Sequence, residues 1–169
     1  MNSQFLIEKL ENSEEYKKFM KENPSAYLCS GFFEIDLAGK NPSNQYHFDF
    51  YVPKTEKTFS FQLENGITLI PLEREGEQQI LEKVSMKNNF DFDKLKEKIL
   101  IEMELKKITN KIQKMIFSLQ NKDKKDFLIG TIFLSGLALL KVDIDLVENK
   151  ITEIEKSSLF DMIKIIKKK

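Results

Sequence analysis

The spacing of apolar and polar positions changes several times along the chain, and each change marks a new element. Near the N-terminus the apolar positions recur every three to four residues. Phe5, Leu6 and Leu10 share one face, and Tyr16, Phe19 and Met20 share another. That spacing predicts helix. Ser3 is the expected cap of the first run, and Ser13, followed by Glu14 and Glu15, that of the second. Pro24 stops the helix. The period then drops to two. Phe33, Ile35 and Leu37 alternate with Glu34 and Asp36; Tyr46, Phe48, Phe50 and Val52 alternate with His47, Asp49 and Tyr51; Phe59, Phe61 and Leu63 alternate with Ser60 and Gln62. Period two is the signature of strands whose alternate side chains face opposite ways. Residues 38–45 read as a loop, 53–57 as a turn, and Glu64-Asn65-Gly66 as a tight hairpin. ITLIPL (67–72) reads as an edge strand ended by Pro71. The result is an antiparallel meander with one Phe-rich face that must be covered.

The charged segment EREGEQ (73–78) is the expected boundary between two units, 1–75 and 76–169. Beyond it a helix is expected from about residue 91, capped by Asp91 or Asp93, with Leu95, Ile99, Leu100 and Met103 as its apolar stripe. KMIFSLQ (114–120) returns to strand, and NKDKKD (121–126) to turn.

FLIGTIFLSGLALL (127–140) then runs fourteen residues without a charge. A membrane-spanning helix needs about 20 apolar residues, and Gly130, Thr131, Ser135 and Gly136 lower helix propensity. The stretch therefore predicts a buried strand over about 127–134, a bend at Ser135-Gly136 and a second strand. In that second strand Leu140, Val142, Ile144 and Leu146 alternate with Lys141, Asp143 and Asp145. VENK turns into the strand ITEIE. Ser158 opens a last helix with Leu159, Met162, Ile163 and Ile166 on one side and the tail Lys167–Lys169. The expected fold class is α+β: helices packed on twisted antiparallel sheets, in two tandem units that each run helix then meander.

Composition narrows the function. The chain has 169 residues, 27 basic and 27 acidic, for a formal net charge of zero. No global field steers it toward nucleic acid. Its one arginine, Arg74, leaves little capacity for bidentate readout of phosphates or bases, so no nucleic-acid partner is expected. The single cysteine, Cys29, allows no internal disulfide. The N-terminus has an amphipathic pattern without a basic leader or apolar core, so the expectation is a cytoplasmic protein without a transmembrane segment.

Candidate chemistry is sparse. His47 is the only histidine and Cys29 the only cysteine, which excludes a His/Cys metal cluster; no metal and no cofactor are expected. Cys29 lies among apolar residues, the setting of an inert buried thiol. Asp143 and Asp145, two apart on one strand, could perform acid–base chemistry or hold a hard cation. The same pattern is that of a solvated strand face, which is the reading preferred here. Gly31, Gly39 and Gly66 are isolated and form no phosphate-cradling loop. No catalytic residue is expected. The mixed aromatic and polar group Tyr46, His47, Asp49 and Tyr51 is the candidate partner-binding surface.

LLKVDIDLVENKITEIE, followed by SSLFD, resembles the PepSY domain family and its cystatin-like relatives. Ile144-Asp145, the turn Glu148–Lys150 and Ile151 sit where that pattern has an apolar strand, an Ile-Asp step, a turn and a further strand. The helix near 91–106 and the strands KMIFSLQ and FLIGTIF precede them in matching order. Two positions depart: the turn carries Glu148-Asn149 in place of an acidic-Gly step, and Phe127 stands where a Trp is common. The resemblance implies a helix followed by a curved antiparallel sheet, and a non-enzymatic binding role that in some members is protease inhibition. It carries over no catalytic residue. Together these readings lead to the expectation of a protein- or peptide-binding module. The alternative is a small-ligand-binding or enzymatic protein that uses a pocket between helix and sheet.

Overall fold

A computed structural model describes residues 1–73 and 81–167. The first half holds α1 (Ser3–Glu11), α2 (Glu14–Glu22), β1 (Tyr27–Asp36), β2 (Gln45–Val52), β3 (Lys57–Gln62) and β4 (Thr68–Leu72). The second holds α3 (Phe92–Leu105), β5 (Ile112–Lys122), β6 (Lys125–Leu134), β7 (Ala138–Asp145), β8 (Lys150–Ser158) and α4 (Leu159–Lys167). Most of the expected segment 73–78, the boundary it marked, and Lys168 and Lys169 of the tail lie outside the described residues.

Two tandem helix-then-meander units were expected; one sheet is what forms. All eight strands join a single antiparallel sheet in the order β4-β3-β2-β1-β5-β6-β7-β8. The join is between β1 and β5, which pair from Gly31 opposite Leu119 to Asp36 opposite Lys114. Each of these strands would otherwise present a row of unpaired backbone N–H and C=O groups beside a hydrophobic face, and pairing them satisfies both rows.

The core is likewise shared. Leu6, Ile7, Leu10, Phe19, Leu95, Ile99 and Met103 of α1–α3 belong to the same buried cluster as Phe33, Phe48, Phe61, Phe117, Leu128 and Val142 of the sheet. Phe33 of β1 packs edge-on against Phe48 of β2 and against Phe90, just before α3 (both 5.5 Å between ring centres). Phe19 of α2 meets Phe59 at 5.5 Å and Phe61 at 5.3 Å. Edge-to-face contacts of this kind add to simple burial.

The local signals explain the elements. Ser13 caps α2 by accepting the Tyr16 N–H (3.2 Å), and Asp91 caps α3 by accepting those of Asp93 and Lys94 (3.0 and 3.1 Å). The cap of α1 is Asn2, not Ser3; its Oδ1 accepts the Gln4 N–H at 2.7 Å. Ser3 is fully buried because the chain start pairs with the segment before α3. Ser3 N–H donates to the Phe90 carbonyl, its Oγ accepts the Phe90 N–H and donates to the Asn88 carbonyl. Phe5 and Leu100, both placed on apolar helix faces by spacing, are exposed, because Ile7 on α1 and Phe92 on α3 take the core-facing positions instead.

The uncharged stretch 127–140 breaks where its glycine and serine indicate. β6 ends at Leu134, Gly136 and Leu137 adopt φ of 75° and 56°, and β7 begins at Ala138. Gly66 (φ 111°) and Asn65 (φ 53°) turn the β3–β4 hairpin, the left-handed conformations such turns require. Among the described residues no helix is long and apolar enough to cross a membrane.

Candidate functional site

Strand alternation sorts the β2 side chains onto two faces. Tyr46, Phe48, Phe50 and Val52 are buried on the helix-covered face. Tyr46 lies 6.0 Å from Phe92, and burial raises its phenol above the ordinary value. The expected surface of Tyr46, His47, Asp49 and Tyr51 is therefore divided. Tyr46 belongs to the core, while the other three half-buried side chains share the opposite face.

On that opposite face His47 stands across from Phe32 of β1 and Gln62 of β3. The His47 ring stacks at a tilt on Phe32, 5.5 Å between centres and 33° between planes. Its Nε2 is 3.3 Å from Glu64 Oε1, and both side chains are largely shielded, at 18% and 23% exposure. Glu64 is held in turn by the Tyr46 N–H, which donates to the same Oε1. Around this pair the 42–45 loop and the β3–β4 hairpin enclose an open cleft of about 610 Å³, lined by polar side chains from Ser43 to Asn65. Such a cleft offers an imidazole, a carboxylate and several amides.

The neighbouring outer-face residues are locked by the sheet. Asp49 Oδ2 accepts a hydrogen bond from Ser30 Oγ at 2.7 Å. Tyr51 packs on Tyr27 at 5.7 Å, and Tyr27 donates its hydroxyl to the Leu81 carbonyl at 3.0 Å. Cys29 is buried at the irregularity between Leu28 and Ser30, with Sγ donating to the Asp49 carbonyl. Further along the same face, Phe127 and Ile129 line a second cleft of about 500 Å³, walled by Lys122, Lys125, Asp143 and Glu153.

Asp143 and Asp145 do not form a solvated pair. A register shift falls between Asp143 and Ile144, and Asp145 is only 3% exposed. Its Oδ1 accepts the N–H groups of Val147 and Glu148 (2.8 and 2.9 Å), which hold its carboxyl below the ordinary value, helped by Lys125 and Lys150. Asp145 is a turn cap. An aspartate at a strand end with a turn directly after it is the signal that identifies such a cap. Asp126, not singled out by the sequence, is a second buried carboxylate. It accepts from Ser85 N–H, Asn88 Nδ2 and Asn121 Nδ2 at 3.0, 2.6 and 2.7 Å, fastening the segment before α3 to the β5–β6 hairpin. Among the described residues no three His, Cys, Asp or Glu side chains are grouped to hold a metal ion.

No protein family matches the sequence, and no curated protein matches it. Among solved structures the chain is similar to the crystal structure of a candidate lipoprotein from Clostridium difficile 630. The TM-score is 0.50 and the identity 11%, covering 85% of this chain and 91% of that one. That likeness is one of fold alone.

Proposed function

We propose that the protein is a non-catalytic binding module for an extended peptide or protein segment, taken up on the outer face of β1 and β2. The observation that supports this is the His47–Glu64 contact in the wall of a cleft of about 610 Å³, with the His47 ring stacked on Phe32 of β1. A half-buried aromatic gives a segment an apolar anchor, and the adjoining imidazole, carboxylate and amides meet its polar backbone. Face binding fits better than addition of a strand at an edge. The β4 edge is five residues long and contains Pro71, while β8 carries Lys150, Glu153, Glu155 and Lys156; short, proline-bearing or charged edges resist strand addition. A relationship to PepSY and cystatin-like proteins belongs to the same reading, as binding without catalysis.

The size and polarity of the same cleft favour a second reading, a small polar ligand. Selection from a random peptide library on the immobilised protein, followed by titration of the winning peptides, separates the two. On the peptide reading, binders emerge and Phe32→Ala with His47→Ala weakens them about tenfold or more. Failure to recover any peptide, with stabilisation of the protein by small polar compounds instead, overturns the peptide reading in favour of the ligand.

A further inference from the structure

The last helix, α4, leaves its apolar side chains in solvent. Phe160, Ile163 and Ile166 are 61%, 43% and 71% exposed. Spaced three apart, they form one stripe along the helix. None of the three belongs to the buried cluster that α1, α2 and α3 complete. The stripe is a built surface and not a frayed end. Ser158 and Asp161 cap the helix reciprocally: Ser158 Oγ donates to Asp161 Oδ2 at 2.7 Å and accepts the Asp161 N–H at 3.1 Å. The Leu159 N–H donates to the Leu137 carbonyl at 2.9 Å. That bond brings the β6–β7 turn, with Leu137 56% exposed, to the start of the helix.

Charge says what covers this stripe. Lys164 lies one turn beyond Phe160, and Lys167 one turn beyond Ile163; both are exposed. The sequence continues with Lys168 and Lys169. Over residues 159–169 the only acidic side chain is Asp161, already engaged by Ser158. A chain with no net charge thus has four lysines within residues 164–169 of its sequence. A lysine stem can run along an apolar layer while its ammonium reaches outward. We infer that α4 seats on a membrane surface that carries anionic phospholipid, with Phe160, Ile163 and Ile166 in the headgroup–acyl boundary and Lys164 and Lys167 on lipid phosphates. A short amphipathic helix of this kind lies on the bilayer without spanning it, and a single one binds reversibly. The lysines contribute only close to the surface, so the attachment is salt-sensitive.

Vesicle flotation of the full chain tests this. The protein is expected to float with phosphatidylcholine vesicles that contain roughly one-third phosphatidylglycerol, to stay behind with pure phosphatidylcholine, and to be released by high salt. Lys164→Gln with Lys167→Gln weakens binding to the anionic vesicles roughly 30-fold, the combined contribution of two surface lysines. Phe160→Ser with Ile163→Ser abolishes it, with an unchanged circular dichroism spectrum showing that the sheet is intact. No flotation with anionic vesicles at low salt overturns the inference, as does undiminished binding by both double variants. A dimer in light scattering that Phe160→Ser and Ile163→Ser convert to monomer, without vesicle binding, also overturns it and assigns the stripe to a second copy of this chain.

Discussion

Phe33 on β1 stands directly across from Phe117 on β5, and Phe92 of α3 packs against both rings, at 5.4 and 6.2 Å. This trio closes the seam between the first and second meanders. Truncating Phe117 to Ala is expected to cost about 3–5 kcal/mol, the range for a fully buried phenylalanine. Because the seam is shared, urea denaturation followed by circular dichroism and by tyrosine fluorescence should give one coincident transition in wild type and variant alike. Two separated transitions would show that the meanders fold as independent units.

Gly130 lies between Phe117 and Val142 in neighbouring strands. A Cβ there would collide with Val142 Cγ2 and come within 2.9 Å of Phe117 Cε1. Gly130→Ala is therefore expected to destabilise by about 1–3 kcal/mol, as overpacking does in a close-packed core. A melting temperature equal to that of wild type would mean that the sheet opens at this point without cost.

Asp126 fastens Ser85, Asn88 and Asn121 through one buried carboxylate. Asp126→Ala strands those donors, at an expected cost of about 2–4 kcal/mol. Hydrogen exchange locates the effect: the Ser85 amide should lose protection before the β1–β5 seam does. Uniform loss of protection across the sheet would assign Asp126 a global role.

Asp145 makes stability depend on pH with a definite sign. Its folded carboxyl titrates below the ordinary 3.8, first because the Glu148 N–H bonds the charged form and then because of Val147 N–H, Lys125 and Lys150. A depressed acid contributes fully above its unfolded value and loses that contribution as the pH falls through the folded one. The wild-type advantage over Asp145→Asn should be constant near neutrality and shrink below about pH 4. An advantage that persists at the acid end would place its source outside the carboxylate charge.

Most elements were legible because alternation and caps are local. Phe48, Phe50 and Phe61 declared their strands, Ser13 and Asp91 their helix starts, and Ser135-Gly136 the break in an uncharged run. The single sheet was not legible. The pairing of β1 with β5 depends on two strands far apart in sequence, and nothing in either one names its partner. Tyr46 was grouped with His47 by composition, although period two already put it with Phe48. Asp145 looked solvated because alternation gives only its face of the strand, not the turn after it, whose Val147 and Glu148 N–H groups fold back onto the carboxylate. Cys29 sits at an irregularity of the β1–β2 pairing, between Leu28 and Ser30. The His47–Glu64 contact depends on the β2–β3 register, which places His47 beside Gln62 two positions before Glu64.

The position of the seam has a consequence during synthesis. Both outermost strands, β4 and β8, are the last of their meanders, and the first strands meet in the middle. On the ribosome the first meander is therefore finished while the β1 backbone still lacks its β5 neighbour, roughly 80 residues behind. At roughly 5–20 residues per second, that flank stays open for several seconds in a segment that carries Phe32 and Phe33. The nascent chain passes through a stage at which its most central strand is its most vulnerable one, and slow translation between Leu72 and Ile112 lengthens that exposure.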